Sequence, residues 1–101
     1  MVSIRENWTE IEGRVVDWRT SPEHPSYLAL EIAVTNSADV PGFANLLAGI
    51  KGEHVVVQVD VAACDQTRLA RDAVVRCRVR RGRDPGVVFA NPERFALGTG
   101  Y

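Results

Sequence analysis

Cysteine is scarce in this chain, which limits the disulfides and metal sites that it could form. Cys64 and Cys77 are the two thiols of the sequence. Their spacing from each other and from His24 and His54 fits none of the usual pairs of zinc ligands. We therefore expect two reduced thiols, typical of a cytoplasmic protein, and neither a disulfide framework nor a metal site.

Long apolar runs and catalytic motifs are missing as well. No apolar run approaches the ~20 residues of a membrane span. The N-terminal stretch Met-Val-Ser-Ile-Arg-Glu-Asn-Trp lacks the apolar core of a signal peptide. No nucleophile elbow, glycine-rich phosphate loop or His-Glu-x-x-His pattern appears. The sequence thus predicts a cytoplasmic protein that is not an enzyme, has no cofactor, does not contact a membrane and offers no evident site for a small-molecule substrate.

Charge, by contrast, is abundant and unevenly distributed. Residues 1–67 hold ten Asp and Glu against four Lys and Arg, whereas residues 68–101 hold eight Arg against three Asp and Glu. Such a split indicates either a basic binding surface or a fold that lays basic strands against acidic ones. Arginine outnumbers lysine eleven to one, which suits phosphate recognition but also follows from a GC-rich genome.

The hydrophobic pattern predicts a small β-rich fold of one domain over residues 1–101. Five segments alternate apolar and polar side chains as strands do, and they are Thr9–Arg19, Tyr27–Thr35, Glu53–Val61, Ala73–Arg81 and Val87–Ala90. In the first segment the apolar parity switches beside Gly13, which predicts a bulge or a sharp bend. In the last, Pro92 interrupts the strand before Phe95 and Leu97.

Two further segments have the pattern of short helices. Val40–Lys51 carries an apolar stripe at helical spacing, made of Phe43, Leu46, Leu47 and Ile50. Ala62–Arg71 is shorter and less periodic. We expect the stripe of the first helix to close one end of a barrel, although it could also dock into the groove of a partner.

The order of these elements resembles the OB-fold, a five-stranded Greek-key barrel. The resemblance lies in a long, kinked first strand, a helix between the third and fourth strands, and a closing hairpin. It covers most of residues 9–97 and is carried by no family-specific motif. It implies a mainly antiparallel five-stranded barrel with one or two short helices. It also implies that ligands would approach the loops at Arg19–Ser26 and Arg81–Gly86.

A ladder of three arginines is the strongest candidate site. Arg76, Arg78 and Arg80 lie on one face of the fourth strand, each about 6.6 Å from the next. A polyanion could neutralise them, as in single-stranded nucleic-acid grooves. Alternatively, in an OB-like barrel the fourth strand borders the first, and Glu10 and Glu12 would pair with the ladder.

Aromatic faces are the second requirement of a nucleic-acid groove, because bases stack on them. Of the candidates, Trp18 and Tyr27 flank the first loop, whereas Phe43 belongs to the helix stripe and Phe89 and Phe95 have the parity of core residues. The outward residues of the second and third strands include Glu31, Gln58 and Asp60, which suit a nucleic-acid groove poorly. Trp8 completes the set of candidates.

Two functions remain open from the sequence. The first is a non-catalytic binding or assembly module whose partner is another protein, either a second copy or a different chain, contacted through the outward apolar residues Val56, Val88 and Ala90. The second is binding of single-stranded nucleic acid. Its cations would be Arg76, Arg78, Arg80, Arg81 and Arg83, and its stacking residues Trp18 and Tyr27.

Overall fold

Five strands close into a barrel in a computed structural model, which describes residues 7–21, 25–45, 47, 49–82 and 88–98. The strands are β1 (Thr9–Thr20), β2 (Tyr27–Asp39), β3 (His54–Asp60), β4 (Val74–Arg81) and β5 (Val88–Leu97). Their order around the barrel is β1-β2-β3-β5-β4, with β4 returning to β1. Every pairing is antiparallel except that of β3 with β5, which is parallel. This is the OB-like arrangement that the element order predicts.

The core follows from the alternation in the middle strands. Leu28, Leu30, Ile32 and Val34 of β2 are all buried, as are Val57 and Val59 of β3 and Val75, Cys77 and Val79 of β4. Successive side chains of a strand point to opposite faces, so these residues share the interior of the barrel. The alternation predicted for the second, third and fourth strands is therefore confirmed.

The first strand bends as its change of parity predicts. Its pairing with β2 shifts register between Glu12 and Gly13 and again between Val15 and Asp17. The second shift places Val16 as an extra residue, so that Trp18 falls opposite Leu30 and packs against the core. The bend lets one strand pair with β4 through its first half and with β2 along its length.

The segment predicted as a helix over Val40–Lys51 contains no α-helix in its described residues, so this prediction is wrong. Turns replace it, and Gly42, Gly49 and Gly52 adopt φ values of 88°, 85° and 89°. Such positive φ values are incompatible with a right-handed helix and are accessible to glycine at little cost. Leu47 and Ile50 of the predicted stripe nevertheless pack against the core, whereas Phe43 is exposed.

Asn45 holds these turns against the barrel. Its side-chain oxygen accepts hydrogen bonds from the Thr9 hydroxyl at 2.7 Å and from the Leu47 amide at 2.9 Å. Its side-chain nitrogen donates to the Asp39 carboxylate at 2.7 Å. Because one side chain bonds to three parts of the chain, the turns have a defined position without regular structure.

Between β3 and β4, two 3₁₀ turns stand where the second helix, Ala62–Arg71, is predicted. They span Val61–Ala63 and Gln66–Arg68, and the carboxylates of Asp60 and Asp65 cap them. Aspartate favours such caps because its carboxylate accepts the amide hydrogen bonds that the first turn leaves unsatisfied. The segment predicted as the second helix thus forms only two single 3₁₀ turns.

Candidate functional site

The first two arginines of the ladder are paired with glutamates of β1. Arg76 donates from Nε and Nη2 to Oε2 of Glu12 at 3.0 and 2.6 Å. Arg78 donates from the same two atoms to Oε1 of Glu10 at 2.9 and 2.7 Å. The register sets these pairs, since Glu12 lies opposite Arg76 and Glu10 opposite Arg78. The barrel therefore supplies the negative charge that the ladder requires.

These ion pairs neutralise the charge of the two arginines but contribute little to the stability of the fold. All four side chains are partly exposed, with between 26% and 55% of each accessible to solvent. Exposed pairs of this kind typically contribute about 0.2–1 kcal/mol each. Their consequence for function is that Arg76 and Arg78 face a carboxylate of the same chain, so a polyanion would have to compete with Glu12 and Glu10.

Arg80, the third arginine of the ladder, has different surroundings. The register of β1 against β4 begins at Thr9, opposite Val79, and the next residue outward is Trp8. Arg80 pairs across the sheet with Phe89 of β5, and its guanidinium carbon lies 5.0 Å from the centroid of the Phe89 ring. Within the described part of the chain, no carboxylate lies at ion-pair distance from Arg80. It is an exposed cation on an aromatic face.

An open groove surrounds this cation, and we call it the aromatic groove. It has a volume of about 290 Å³, and it is lined by Trp8, Tyr27, Phe89, Arg80, Asp60 and Pro92, among others. The rings of Tyr27 and Phe89 meet edge to face, with their centroids 6.2 Å apart and an angle of 74° between their planes. Aromatic pairs of this geometry add about 0.5–1.5 kcal/mol beyond the area they bury. The two rings therefore hold each other in place.

The loops of the barrel position the groove. Tyr27 is the first residue of β2, directly after the β1–β2 connection, and Phe89 is the second residue of β5, directly after the β4–β5 connection. Asp60 is the last residue of β3 and lies opposite Tyr27 in the register. Its carboxylate accepts the Ala62 amide at 2.8 Å and so caps the following turn. These positions place the groove at one end of the barrel, beside the β1–β2 and β4–β5 connections.

The predicted stacking and cationic residues do not form one site. Tyr27 lines the aromatic groove, whereas Trp18 lines a separate depression with Arg19 and Val56. The side chain of Arg81 is exposed, and its backbone is held by Asn7. The Arg81 amide donates to Asn7 Oδ1 at 2.8 Å, and Asn7 Nδ2 donates to the Arg81 carbonyl at 3.3 Å. Arg83 lies outside the described residues.

Of the residues predicted to contact a protein partner, Val56 is outward as expected, with 39% of its surface exposed. The prediction that Val88 points outward is wrong, because its side chain lies in the core with 3% exposed. Ala90 is not the outward residue that was predicted: it is partly buried, packs against the core and also borders the aromatic groove. Phe89, predicted to be a core residue, points outward into the aromatic groove instead.

A bulge in β5 explains these reversals. Val79 and Cys77 are two residues apart on β4, but their partners Ala90 and Phe95 are five apart on β5. The three additional residues around Pro92 are an odd number, so the strand changes face there. Counting parity backward from Phe95 without this bulge places Phe89 in the core and Val88 outside.

Other side chains with potential chemistry do not assemble into a site. Among the described residues, no three His, Cys, Asp or Glu side chains lie close enough to hold a metal ion. His54 Nδ1 lies 2.9 Å from Glu31 Oε2 on the outer surface. Burial raises the pKa of Cys77 to about 12, and the charge of Glu10 adds to this effect. Burial likewise raises the pKa of Cys64, with a further contribution from Asp65. A raised pKa disfavours the nucleophilic thiolate.

Sequence reasoning missed the groove because it misplaced Phe89 and found no role for Trp8. One available signal was the register itself: Glu12 and Glu10 face Arg76 and Arg78, and the next residue of this alternating series is Trp8, which lines the groove together with Arg80.

None of the helices among the described residues is long and apolar enough to cross a membrane. Comparison with known protein families, curated proteins and solved structures finds no match to this chain.

Proposed function

We propose that this protein is a non-catalytic binding module that contacts another protein through the aromatic groove. The observation that carries the proposal is the composition of the groove. Three aromatic side chains line the groove together with an exposed arginine that has no carboxylate partner among the described residues. Aromatic residues and arginine are the types enriched at the energetic centres of protein interfaces.

Three features favour a protein partner over nucleic acid. Arg76 and Arg78 are occupied by glutamates, so the cations available to track a phosphate backbone are few. In addition, Arg80 covers one face of the Phe89 ring, and a base cannot stack on that face while the guanidinium lies there. The Asp60 carboxylate, which also lines the groove, repels phosphate.

Single-stranded nucleic acid remains the second candidate, and the contact of Arg80 with Phe89 beside Tyr27 is the observation in its favour. A ring and a guanidinium together can hold a base and its phosphate. Arg81, the next residue along β4, is also exposed. Because Arg76 and Arg78 are paired with glutamates, only Arg80 and Arg81 among the described residues of β4 could contact phosphates. About two such contacts would give weak binding at physiological salt.

The proposed location is the cytoplasm, since Cys64 and Cys77 are both free thiols and a reducing compartment preserves them in that state.

Site-specific photo-crosslinking in the native cells tests the proposal. A photoreactive benzoyl-phenylalanine is placed at Pro92, which is exposed at the rim of the groove. A matched control carries it at Ala70, which is exposed in the turn before β4. We expect a discrete protein adduct from Pro92 that is absent from Ala70 and lost on Phe89→Ala. An adduct that nuclease digests would instead support the second candidate, and adducts of equal yield at both positions would contradict the proposed surface.

A further inference from the structure

We propose that the aromatic groove recognises an extended protein segment that places the carboxylate of an aspartate or glutamate on Arg80 and an apolar side chain beside Tyr27 and Trp8. This inference rests on the proposed function and specifies the chemistry of the partner. It follows from three observations: the register of β1 against β4, the packing of Arg80, and the distribution of charge along the groove.

In the described part of β1 and the residue before it, no acid follows Glu10 to pair with Arg80. Along β1, Glu12 and Glu10 stand opposite Arg76 and Arg78, and each provides one oxygen to two guanidinium nitrogens. Two residues further, the series continues with Trp8 instead of a third acid. Arg80 is therefore chemically equivalent to its two neighbours but lacks the acid that the same strand supplies to them. A carboxylate from a partner can take the corresponding position.

The packing of Arg80 favours this geometry. A guanidinium that lies over a ring keeps its N–H groups around its edge, where they remain available for in-plane hydrogen bonds. The Arg80 guanidinium carbon lies 5.0 Å from the Phe89 centroid, within the ~6 Å of a cation–π contact. Two parallel hydrogen bonds to a carboxylate use this edge without displacing the ring. Contact with Phe89 also restricts the side chain before binding, which reduces the entropy lost on association.

The volume, apolar surface and charge of the groove determine which side chains the bound segment can carry beside its acid. Its volume of about 290 Å³ is near the lower limit of roughly 300 Å³ for small-molecule pockets, so it has room for one or two side chains but does not enclose a large ligand. Tyr27, Trp8 and Pro92 present apolar surface to an apolar side chain. Asp60 lies at the end of the groove near Tyr27, and a second acid there would be repelled. The expected segment carries an acid at one end and a neutral or basic residue at the other.

A phage-displayed library of random peptides, selected on the folded protein, tests the inference. The selections use the wild type, Arg80→Gln, Arg80→Glu and Phe89→Ala, with Arg71→Gln as a matched control, because Arg71 is an exposed arginine in the turn before β4. We expect the wild type and the control to enrich peptides with Asp or Glu at a fixed distance from an apolar residue. Arg80→Gln should lose this preference, and Arg80→Glu should replace it with a preference for Lys or Arg.

Affinity measurements on one enriched peptide give the quantitative test. Replacing its acid with the corresponding amide should weaken binding to the wild type about tenfold or more, the effect of losing a charged hydrogen bond. The same replacement should have little effect on binding to Arg80→Gln. Thermal melts of each variant confirm that the barrel is folded, which we expect because the Arg80 side chain is exposed.

The outcomes separate this inference from the proposed function. Peptides that depend on Phe89 but show no acidic preference would overturn the carboxylate inference and leave the proposed function in place. A library without any Phe89-dependent peptide would contradict both. Binding of an oligothymidylate that Phe89→Ala abolishes, with no peptide selected, would assign the groove to nucleic acid and overturn both as well.

Discussion

Replacing Gly13 with alanine should destabilise the barrel strongly, because β2 leaves no room for a β-carbon there. A β-carbon at this position would lie 2.3 Å from the backbone oxygen of Ala33 and 2.8 Å from Cγ2 of Ile32. The Ile32 side chain is fully buried and the Ala33 oxygen belongs to a paired strand, so neither can move without separating β1 from β2. Overpacking costs about 1–3 kcal/mol, and a disrupted backbone hydrogen bond adds about 1 kcal/mol.

We therefore expect Gly13→Ala to lower the free energy of unfolding by about 3 kcal/mol, a large share of the ~5–15 kcal/mol typical of a domain. Urea unfolding followed by circular dichroism measures this change. Gly42→Ala is the matched control, since Gly42 has a φ of 88° with no atom within 4 Å of the added carbon. That control should cost about 1 kcal/mol, from backbone strain alone. Equal losses in the two variants would refute the close approach at Gly13.

Three further predictions concern the barrel wall. Asn7→Ala should cost about 2–3 kcal/mol in urea unfolding, because it leaves the amide and carbonyl of Arg81 without their buried partner; a loss below 0.5 kcal/mol would contradict this role. Because burial raises the pKa of Cys77 to about 12, the folded state keeps this thiol neutral. Its contribution to stability should be full below the ordinary thiol pKa of about 8.5 and decrease as the pH rises from there toward 12. Iodoacetamide should correspondingly label Cys77 at pH 8.5 only as fast as the protein unfolds, and rapid labelling of the native state would contradict this. Finally, a labelled single-stranded oligonucleotide should bind weakly to the wild type, whereas the double variant Glu10→Gln, Glu12→Gln should bind more tightly, with a salt slope steeper by about 1.4, at ~0.7 for each released arginine. An unchanged slope would show that the glutamates do not neutralise the ladder.

Much of the barrel could be predicted because its middle strands are buried on one face and solvated on the other. Because of this asymmetry, apolar and polar residues alternate along β2 and β4. The same alternation identifies the arginine ladder. The pairing of Arg76 with Glu12 was one of the two alternatives that the sequence left open; the strand order brings β4 beside β1, and the register then places Glu12 opposite Arg76. Local pattern and topology agree in these elements, which is why the sequence is informative there.

Other parts of the structure depend on features that the hydrophobic pattern does not contain. The Val40–Lys51 segment has a helical stripe, but the conformations of its glycines and the hydrogen bonds of Asn45 override that propensity. In β5, the number of residues in the bulge determines which face Phe89 occupies, and this number is set by pairing with β4. The candidate site was missed for the same reason, because the position of Phe89 and hence the aromatic groove depend on that bulge.

Mapping the bound peptide on the protein by NMR tests the central claim, that recognition takes place at the aromatic groove and not along the paired ladder. The probe is the tightest peptide selected from the library, titrated into ¹⁵N-labelled protein. We predict that the largest amide shifts will fall at Tyr27, Arg80 and Phe89, around the groove that these residues line. Shifts centred on Arg76 and Glu12, with the groove unaffected, would contradict the account.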